Sequence, residues 1–495
     1  MPNYGAPQPD VPLCVDLDGT LVKSDTLYDS TLVLARQSPA TLLRLPGWLL
    51  QGKAALKQHL TDAVALDVEH LPYNRALLQY LEQQHATGRP IYLATAADLR
   101  LAERVAAHLG LFAGVLASDG TLNLAGSNKL AAFQQRFPQG FSYIGNASPD
   151  LCLLQACQQP MVANPTAGLR ARLRSAGIRP ALVFEEREAP LRAWMRALRL
   201  HQWAKNALLF LPLLLAHTFQ RTLLLSAGTA FLAFGLCASA TYIINDLLDV
   251  ESDRVHPRKR RRPFAAGDLS VQAGVAVLLL FFAASATLAL ALPRLVRHLA
   301  PERVLDGPYH LSFGVWLLVY LATTLAYSLR LKRAVLVDVI VLSGLYTIRI
   351  LAGGAATGVA ISPWLGSFSI FFFLSLAFVK RFAELEALRE RGGAIASGRG
   401  YHIQDLEQLR SFGTSAGYVS VAVLTLYISN LAAAELYGHT SRLWLLVPIL
   451  LLWLSRLWML ASRGQLDEDP VVYAVTDRRS LLLGLLVLLV VLASL

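Results

Sequence analysis

Three carboxylates, Asp246, Asp249 and Asp253, recur in the run NDLLDVESDRVHPRKRRRPFAAG, which follows a long apolar stretch. Spacings of three and four residues put them on one face of a helix. Like charges so placed repel, and a cation between them removes that cost. Mg2+ suits such a place because it favours carboxylates shared with substrate phosphates over an all-protein cage. Arg254, His256, Lys259, Arg260 and Arg262 follow at once and supply charge-assisted donors for phosphate oxygens. The pattern predicts a Mg2+-dependent diphosphate site at the edge of a membrane span, where ionisable residues are functional by default. The plain alternative is a solvated helix end followed by a basic cluster that only sets topology. A second acidic pair, Asp16 and Asp18, closes a short apolar run in VDLDGT. The chain can leave a strand there, with Gly19 permitting the turn, so that both carboxylates point into one site.

The elements that must hold these residues differ in kind. The chain has 495 residues, 54% hydrophobic and 16% charged, which is too long for one ordinary soluble domain and too apolar for several. A membrane protein fits. The formal charge of +11 sits on Lys and Arg gathered in short loops between apolar runs, which points to topology and an anionic ligand, not to nucleic acid. Cys14, Cys152, Cys157 and Cys237 have neither zinc-ligand nor redox-pair spacing and are expected as buried thiols. The start, MPNYGAPQPDVP, has no basic n-region and no apolar h-region, so the first domain is expected to stay in the cytoplasm.

From Val11 to about Val183, VPLCVDLDGT, RPIYLATAAD, FSYIGN and QPMVAN read as buried strands ending in polar residues, with helical stretches between them. The order predicts an α/β domain over 1–188: a Rossmann-like parallel sheet with helices on both faces and its ligand site at the carboxyl ends of the strands. An interfacial linker helix is expected over 189–203, where RAWMRALRLHQW sets Trp194 and Trp203 beside several Arg residues; a solvated linker helix is the alternative. Residues 204–495 are expected to form an all-α membrane bundle of nine transmembrane helices. The spans fall near 204–219, 222–244, 271–292, 312–328, 335–358, 364–380, 412–436, 442–462 and 480–495. The basic runs HPRKRRRP, SLRLKR and KRFAELEALRERGG then lie inside, and 293–311, with Arg294, Arg297 and Arg303, lies outside. The expected location is the inner or plasma membrane, multi-pass, with the soluble domain cytoplasmic.

The acidic run resembles the first Asp-rich signature of the UbiA prenyltransferase superfamily, Asn-Asp-x-x-Asp-x-x-x-Asp, here beginning at Asn245, and the resemblance covers about residues 190 to 495. It implies a helical bundle whose central cavity opens to the cytoplasmic side, with Mg2+ holding a diphosphate beside a lipid. Aromatic prenyltransferases of that superfamily carry another Asp-x-x-x-Asp between the sixth and seventh spans. This chain has VKRFAELEALRERGG instead, with Lys380, Arg381 and Glu384, so an acidic clamp has become largely basic. Together with QWAKN, DRVHPRKRRRP and YSLRLKRAVLVDVIVLSGLYTIRILAGG, this resembles the decaprenyl-phosphate phosphoribosyltransferase branch. There the diphosphate belongs to phosphoribosyl pyrophosphate, and a polyprenyl phosphate lipid is the acceptor. The resemblance implies that Asp246 and Asp249 hold Mg2+ on the pyrophosphate, that Asn245 orients ribose or metal, and that Asp253 binds metal through water. Lys205, Lys259, Arg262, Lys332, Lys380 and Arg381 become the expected ligands of lipid phosphate, pyrophosphate or 5-phosphate, with Arg254 and Tyr327 also on the substrate. Asp338 and Arg349 should face the cavity, since a lipid-facing charge is costly; a structural ion pair or polar brace is the equal alternative.

The Asp16-Leu17-Asp18-Gly19-Thr20 run resembles motif I of the haloacid dehalogenase-like phosphatases, and the likeness spans about residues 11 to 183. It implies that Asp16 is the nucleophile and Asp18 the general acid/base. Thr95 then takes the place of the phosphate-binding Ser/Thr and Lys129 that of the third-motif lysine. GNASPD resembles the fourth motif, with Asn146 where an acidic residue is usual and with Asp150, so the implied Mg2+ ligands are Asp16, Asp18, Asn146 and Asp150. The stretch between the first two motifs would form a mostly helical cap.

Transfer of phosphoribose to a lipid phosphate leaves a 5-phosphate, a natural substrate for a phosphatase on the same chain. The expected protein is therefore bifunctional: it makes polyprenyl-phosphoryl-5-phosphoribose and then removes the 5-phosphate. Three alternatives remain open. They are an aromatic prenyltransferase using a prenyl diphosphate, an active transferase with a non-catalytic docking domain, and a transporter, which would leave the Asp signature unexplained.

Overall fold

The computed structural model describes residues 11–299, 312–390, 400–430, 433, 436–466 and 469–495. Much of the expected outer 293–311 stretch, and the end of the basic KRFAELEALRERGG run, lie outside the described residues. The chain forms two compact units, one of Met1–Leu198 with Tyr242–Leu278, the other of Arg199–Thr241 with Leu279–Leu495.

The first unit is built on six strands: β1 (Leu13–Val15), β2 (Ile91–Asp98), β3 (Gly114–Ser118), β4 (Ser142–Gly145), β5 (Gln159–Ala163) and β6 (Leu182–Phe184). They form one sheet in the order β3-β2-β1-β4-β5-β6, every pairing parallel. The four strands expected from sequence are present. GVLAS and LVF add the edge strands β3 and β6. β1 is central, with Leu13 opposite Ile91 of β2 and Ser142 of β4. Alternation along it sends Leu13 and Val15 into one apolar cluster and Cys14 into the cluster on the other face. A strand so enclosed holds its last residues still, and those residues lead directly into Asp16 and Asp18. Between β1 and β2 the chain is helical, with Thr26–Gln37, Leu45–Leu50, Lys53–Ala63 and Arg75–Ala86.

The expected single linker helix over 189–203 is not what forms. An α-helix covers Pro190–Leu198, Arg199 turns to positive φ (49°), and a 3-10 helix follows over Leu200–Phe210. Ala193 and Ala197, one turn apart, let the first helix pack closely against Ile243, Leu247, Val250, Phe264 and Leu269.

The second unit is helical among its described residues. Among the described residues, six helices are long and apolar enough to cross a membrane: Arg221–Leu248, Val271–Arg294, Val337–Thr357, Pro363–Arg389, Ile403–Ile428 and Thr440–Ser462. The expected count of nine is thus not reached by length and composition among the described residues. Phe313–Leu329 and Arg478–Ser494 have 17 residues each. The expected first span is instead the 3-10 segment followed by the short helix Leu211–Leu215. Gly353 admits that irregular segment to the bundle, since a Cβ there would come within 2.2 Å of the Leu209 carbonyl oxygen.

Candidate active site

The carboxyl ends of β1 and β4 open into a cleft of about 600 Å3 lined by Asp16, Asp18, Lys57, Lys129, Asn146 and Asp150, among others. Lys129, fully enclosed on the helix Ser127–Arg136, donates to Asp16 Oδ1 (2.8 Å) and Tyr143 OH (3.2 Å). Asp18 accepts from the Thr26 amide (2.8 Å), at the start of the helix that leads into the helical insertion. Burial pushes both Asp16 and Asp18 above the usual carboxylate range; the charge of Lys129 opposes this at Asp16, and Asp25 adds to it at Asp18. Burial penalises the Lys129 ammonium, but Asp16 and Asp150 outweigh it and hold its pKa above the ordinary lysine value. Two carboxyl groups raised toward neutrality, one of them hydrogen-bonded to a lysine, are suited to an acid and a nucleophile.

Asn146 joins this pair. Gly19 is at φ +74°, and a Cβ on it would lie 2.0 Å from Asn146 Nδ2, so the amide is seated on the Asp16–Asp18 turn. Asp150, expected as a metal ligand, is hydrogen-bonded on both oxygens. Its Oδ1 accepts from Tyr143 OH (2.8 Å) and its Oδ2 from the amides of Asn146 (3.0 Å) and Ala147 (2.9 Å), so it braces the loop that presents Asn146. Thr95 is fully buried within β2, its hydroxyl accepts from the Ala97 amide (3.0 Å), and Ala96 lines the cleft. Lys57 was not foreseen. The helix Lys53–Ala63 brings its ammonium to the Ala96 carbonyl (2.6 Å) in the cleft wall, and no local motif marks it.

One wall of the same cleft comes from the segment that follows the Asp-rich signature: Phe264, Leu269, Ser270, Val271 and Gln272. Arg254 fastens it. Its guanidinium, 5% exposed, donates to Asp29 Oδ2 (2.9 Å), Ser24 Oγ (3.1 Å) and the Ala265 carbonyl (3.2 Å). Ser24 in turn accepts, through its carbonyl, the amide of Gly19 (3.0 Å) in the Asp16–Asp18 turn. Arg254, expected on the transferase substrate, is therefore committed to the parallel-sheet domain. Lys23 and Asp268 form a second tie at 3.7 Å.

The signature itself departs from one helical face. The long helix stops at Leu248, Asp249 has left helical geometry (φ −96°, ψ 4°), and a new helix runs over Val250–Val255. Asp246 and Asp253 still converge, on Arg262 Nη1 at 3.2 and 2.7 Å. Asp249 pairs with Arg36 of the parallel-sheet domain (3.0 Å). Among the described residues no three His, Cys, Asp or Glu side chains gather as a metal set. Two buried carboxylates that share one cation nevertheless fit a divalent ion. Asn245 is half-buried on the last turn of the long helix, and Lys259 is exposed on a 3-10 turn.

In the second unit two expected phosphate ligands meet. Lys205 and Lys380 each donate to Asp469 Oδ2 at 2.8 Å, and Tyr346 OH donates to its Oδ1 at 3.1 Å. Asp469 was not foreseen, although Asp-Pro before an apolar run is a helix-start signal, and it does cap Pro470–Thr476. Arg381 is not available for phosphate: it is bound by Asp338, Glu384 and Tyr327 OH, with Tyr401 also donating to Asp338. Arg349 donates to Asn206 Oδ1 (2.9 Å) and to Tyr320 OH (3.2 Å). For Asp338 and Arg349 the polar-brace alternative describes the contacts. Lys332 lies half-exposed on the 3-10 turn Leu331–Arg333. Replacing Asp469 by Ala leaves two lysines facing each other and is expected to cost on the order of 3 kcal/mol in thermal unfolding of the detergent-solubilised protein, with partial recovery on adding Lys380→Met.

A relative, the protein y4nM of Sinorhizobium fredii, is 38% identical over 483 residues, covering 96% of this chain and 90% of its own length. The decaprenyl-phosphate phosphoribosyltransferase of Mycobacterium tuberculosis is 31% identical over 299 residues, 59% of this chain and 90% of that protein. A solved UbiA homolog from Archaeoglobus fulgidus, bound to GPP and Mg2+, aligns over 61% of this chain and 99% of its own at 14% identity, with a TM-score of 0.44. The model of the UbiA prenyltransferase family matches residues 207–486, more than half of the chain and most of its apolar helices. With the acidic signature at the end of the helix Arg221–Leu248, this makes the chain an integral multi-pass membrane protein belonging to the UbiA prenyltransferase family.

Proposed function

We propose that the protein transfers 5-phosphoribose from phosphoribosyl pyrophosphate to a polyprenyl phosphate and then removes the 5-phosphate with a haloacid dehalogenase-like phosphatase domain on the cytoplasmic face. The observation that carries the reading is the cleft wall: Phe264 and residues 269–272, which follow the transferase signature, line the cleft that holds Asp16 and Asp18. A non-catalytic docking domain would need the buried Arg254–Asp29 contact but not the convergence of Asp16, Asp18, Lys129 and Lys57 on one cleft.

In the transfer step a polyprenyl phosphate oxygen attacks C1 of the ribose, the bond from C1 to the pyrophosphate oxygen breaks, and pyrophosphate leaves with the electron pair. Asp246 and Asp253 would hold Mg2+, which supplies positive charge to the leaving group. Arg262, which donates to both carboxylates, is the cation assigned to the pyrophosphate oxygens.

In the second step a carboxylate oxygen of Asp16 attacks the 5-phosphorus, and Asp18 gives its proton to the departing ribose oxygen. Water then cleaves the aspartyl-phosphate, with Asp18 taking up a proton, and inorganic phosphate leaves. Asp16, Asp18 and Asn146 fit Mg2+ here, because Asp16, Asp18, Asp25, Asp29 and Asp150 line the cleft against Lys23, Lys57, Lys129 and Arg187, an excess of carboxyl groups that favours further positive charge.

The test supplies purified protein with Mg2+, polyprenyl phosphate and phosphoribosyl pyrophosphate labelled in the ribose and at the 5-phosphate. Ribose label in the lipid together with 5-phosphate label in free phosphate is expected. Prenylation of an aromatic acid with no sugar transfer would sink the first half; full retention of the 5-phosphate label in the lipid would sink the second.

A further inference from the structure

The helical insertion between β1 and β2 carries a feature that neither chemistry uses. Over Pro39–Arg44 and Leu45–Leu50 the chain forms two short helical turns, PATLLR and LPGWLL, with no buried residue. Leu43 is 84% exposed, Leu50 90% and Leu49 52%, with the half-buried Trp48 beside them. Large aliphatic side chains grouped this way are uncommon on a soluble surface and mark a contact with something apolar.

The surroundings say what covers them. From Ser30 to Thr61 there is no Asp or Glu, and the charged residues are Arg36, Arg44, Lys53 and Lys57. Apolar side chains and Trp rimmed by basic residues suit the interface of an anionic membrane. Two turns of six residues are too short to span a bilayer and can only lie on it. Position agrees with composition. The preceding helix, Thr26–Gln37, ends on Arg36, whose guanidinium donates to the Leu248 carbonyl (3.3 Å) and Ser252 Oγ (2.9 Å) and pairs with Asp249 (3.0 Å). Leu248 is the last residue of the candidate membrane span Arg221–Leu248, so the helix that leads into the apolar turns ends beside the end of a span.

We infer that Pro39–Leu50 docks on the bilayer surface as a peripheral membrane foot of the parallel-sheet domain. The foot continues through Gly52, at φ 111°, into the helix Lys53–Ala63 that places Lys57 in the cleft. Docking therefore holds one wall of the cleft at the membrane surface, where a lipid-linked phosphomonoester presents its headgroup.

The full chain, with Cys152→Ser and Cys157→Ser, is placed in nanodiscs of phosphatidylcholine and phosphatidylglycerol in equal parts and spin-labelled at Leu50→Cys or, as a water-exposed reference, at Ser175→Cys. The label at position 50 is expected to collide more with oxygen than with a water-soluble nickel reagent, and the label at 175 the reverse. The preference at 50 should weaken when phosphatidylglycerol is replaced by phosphatidylcholine. Equal nickel accessibility at the two positions would overturn the proposal, as would dipolar broadening at 50 that shows a second copy covering the foot. This readout needs no enzymatic activity, so it stands or falls separately from the proposed reactions. A second measurement rests on them: Leu43→Glu with Leu50→Glu should raise KM for the lipid-linked substrate at least about tenfold more than KM for a soluble aryl phosphate, the low end of what losing the burial of one leucine is worth. Equal effects on both substrates would mean a merely structural role and would also overturn it.

Discussion

Asp16→Asn will stop phosphomonoester hydrolysis, by roughly 10^3-fold or more on the scale of removing a covalent nucleophile, while the lipid still acquires ribose label and now keeps its 5-phosphate. The substitution is close to isosteric and retains an oxygen for Lys129, which is 2.8 Å away in the wild type. What it removes is the negative charge. The carboxamide is a poor nucleophile, and no other side chain at the end of β1 replaces it, since Asp18 is turned toward the Thr26 amide. Removing one partner of a buried ion pair costs about 3–5 kcal/mol, so loss of activity could come from loss of fold. Two measurements separate the causes. Transfer activity in the same sample reports the intact signature, which is tied to this domain through Arg254 and Asp29. Asp18→Asn should reach a similar endpoint without unpairing Lys129. Hydrolysis of a soluble aryl phosphate that survives Asp16→Asn would remove the phosphatase from the proposal and leave the domain as a docking module.

The parts legible in sequence were those encoded locally. Asp16, Asp18 and Gly19 sit in five consecutive residues at the end of a buried strand, and the apolar alternation that marks β1 also fixes which way its neighbours face. Asp246 and Asp253 were visible for the same reason. Several contacts that the sequence does not signal come from partners far along the chain. Arg254 looks like a phosphate ligand in a basic run, but Asp29, 225 residues earlier, claims it. Arg381 looks the same and is taken by Asp338 and Tyr327. Lys205 meets Asp469 across 264 residues, and no period or motif signals a pairing of that reach. The break at Asp249 was hidden differently: spacing of three and four is equally compatible with one helix or with two joined by a single non-helical residue. Arg199 at positive φ likewise ends a helix that its amphipathic pattern would have continued.

That break gives the three signature carboxylates unequal roles, and substitution should expose the difference. Asp246→Asn is expected to lower phosphoribosyl transfer by about 10^2–10^3-fold, the usual effect of deleting one preorganised electrostatic contact to a transition state. The side chain is 2% exposed and shares Arg262 with Asp253, so the guanidinium keeps one carboxylate when Asp246 is neutralised and the fold should persist. Hydrolysis of a soluble aryl phosphate should therefore stay near the wild-type value, because Asp246 is not among the residues of that cleft. Asp249→Asn loosens the pair with Arg36, which anchors the end of Thr26–Gln37, and its effect should spread to both activities. If Mg2+ acts between Asp246 and Asp253, the Asp246→Asn protein should need more Mg2+ to reach half its residual transfer rate. An unchanged Mg2+ requirement together with undiminished transfer would place the diphosphate elsewhere. Loss of both activities together with a lowered melting temperature would make Asp246 a structural partner of Arg262 and nothing more.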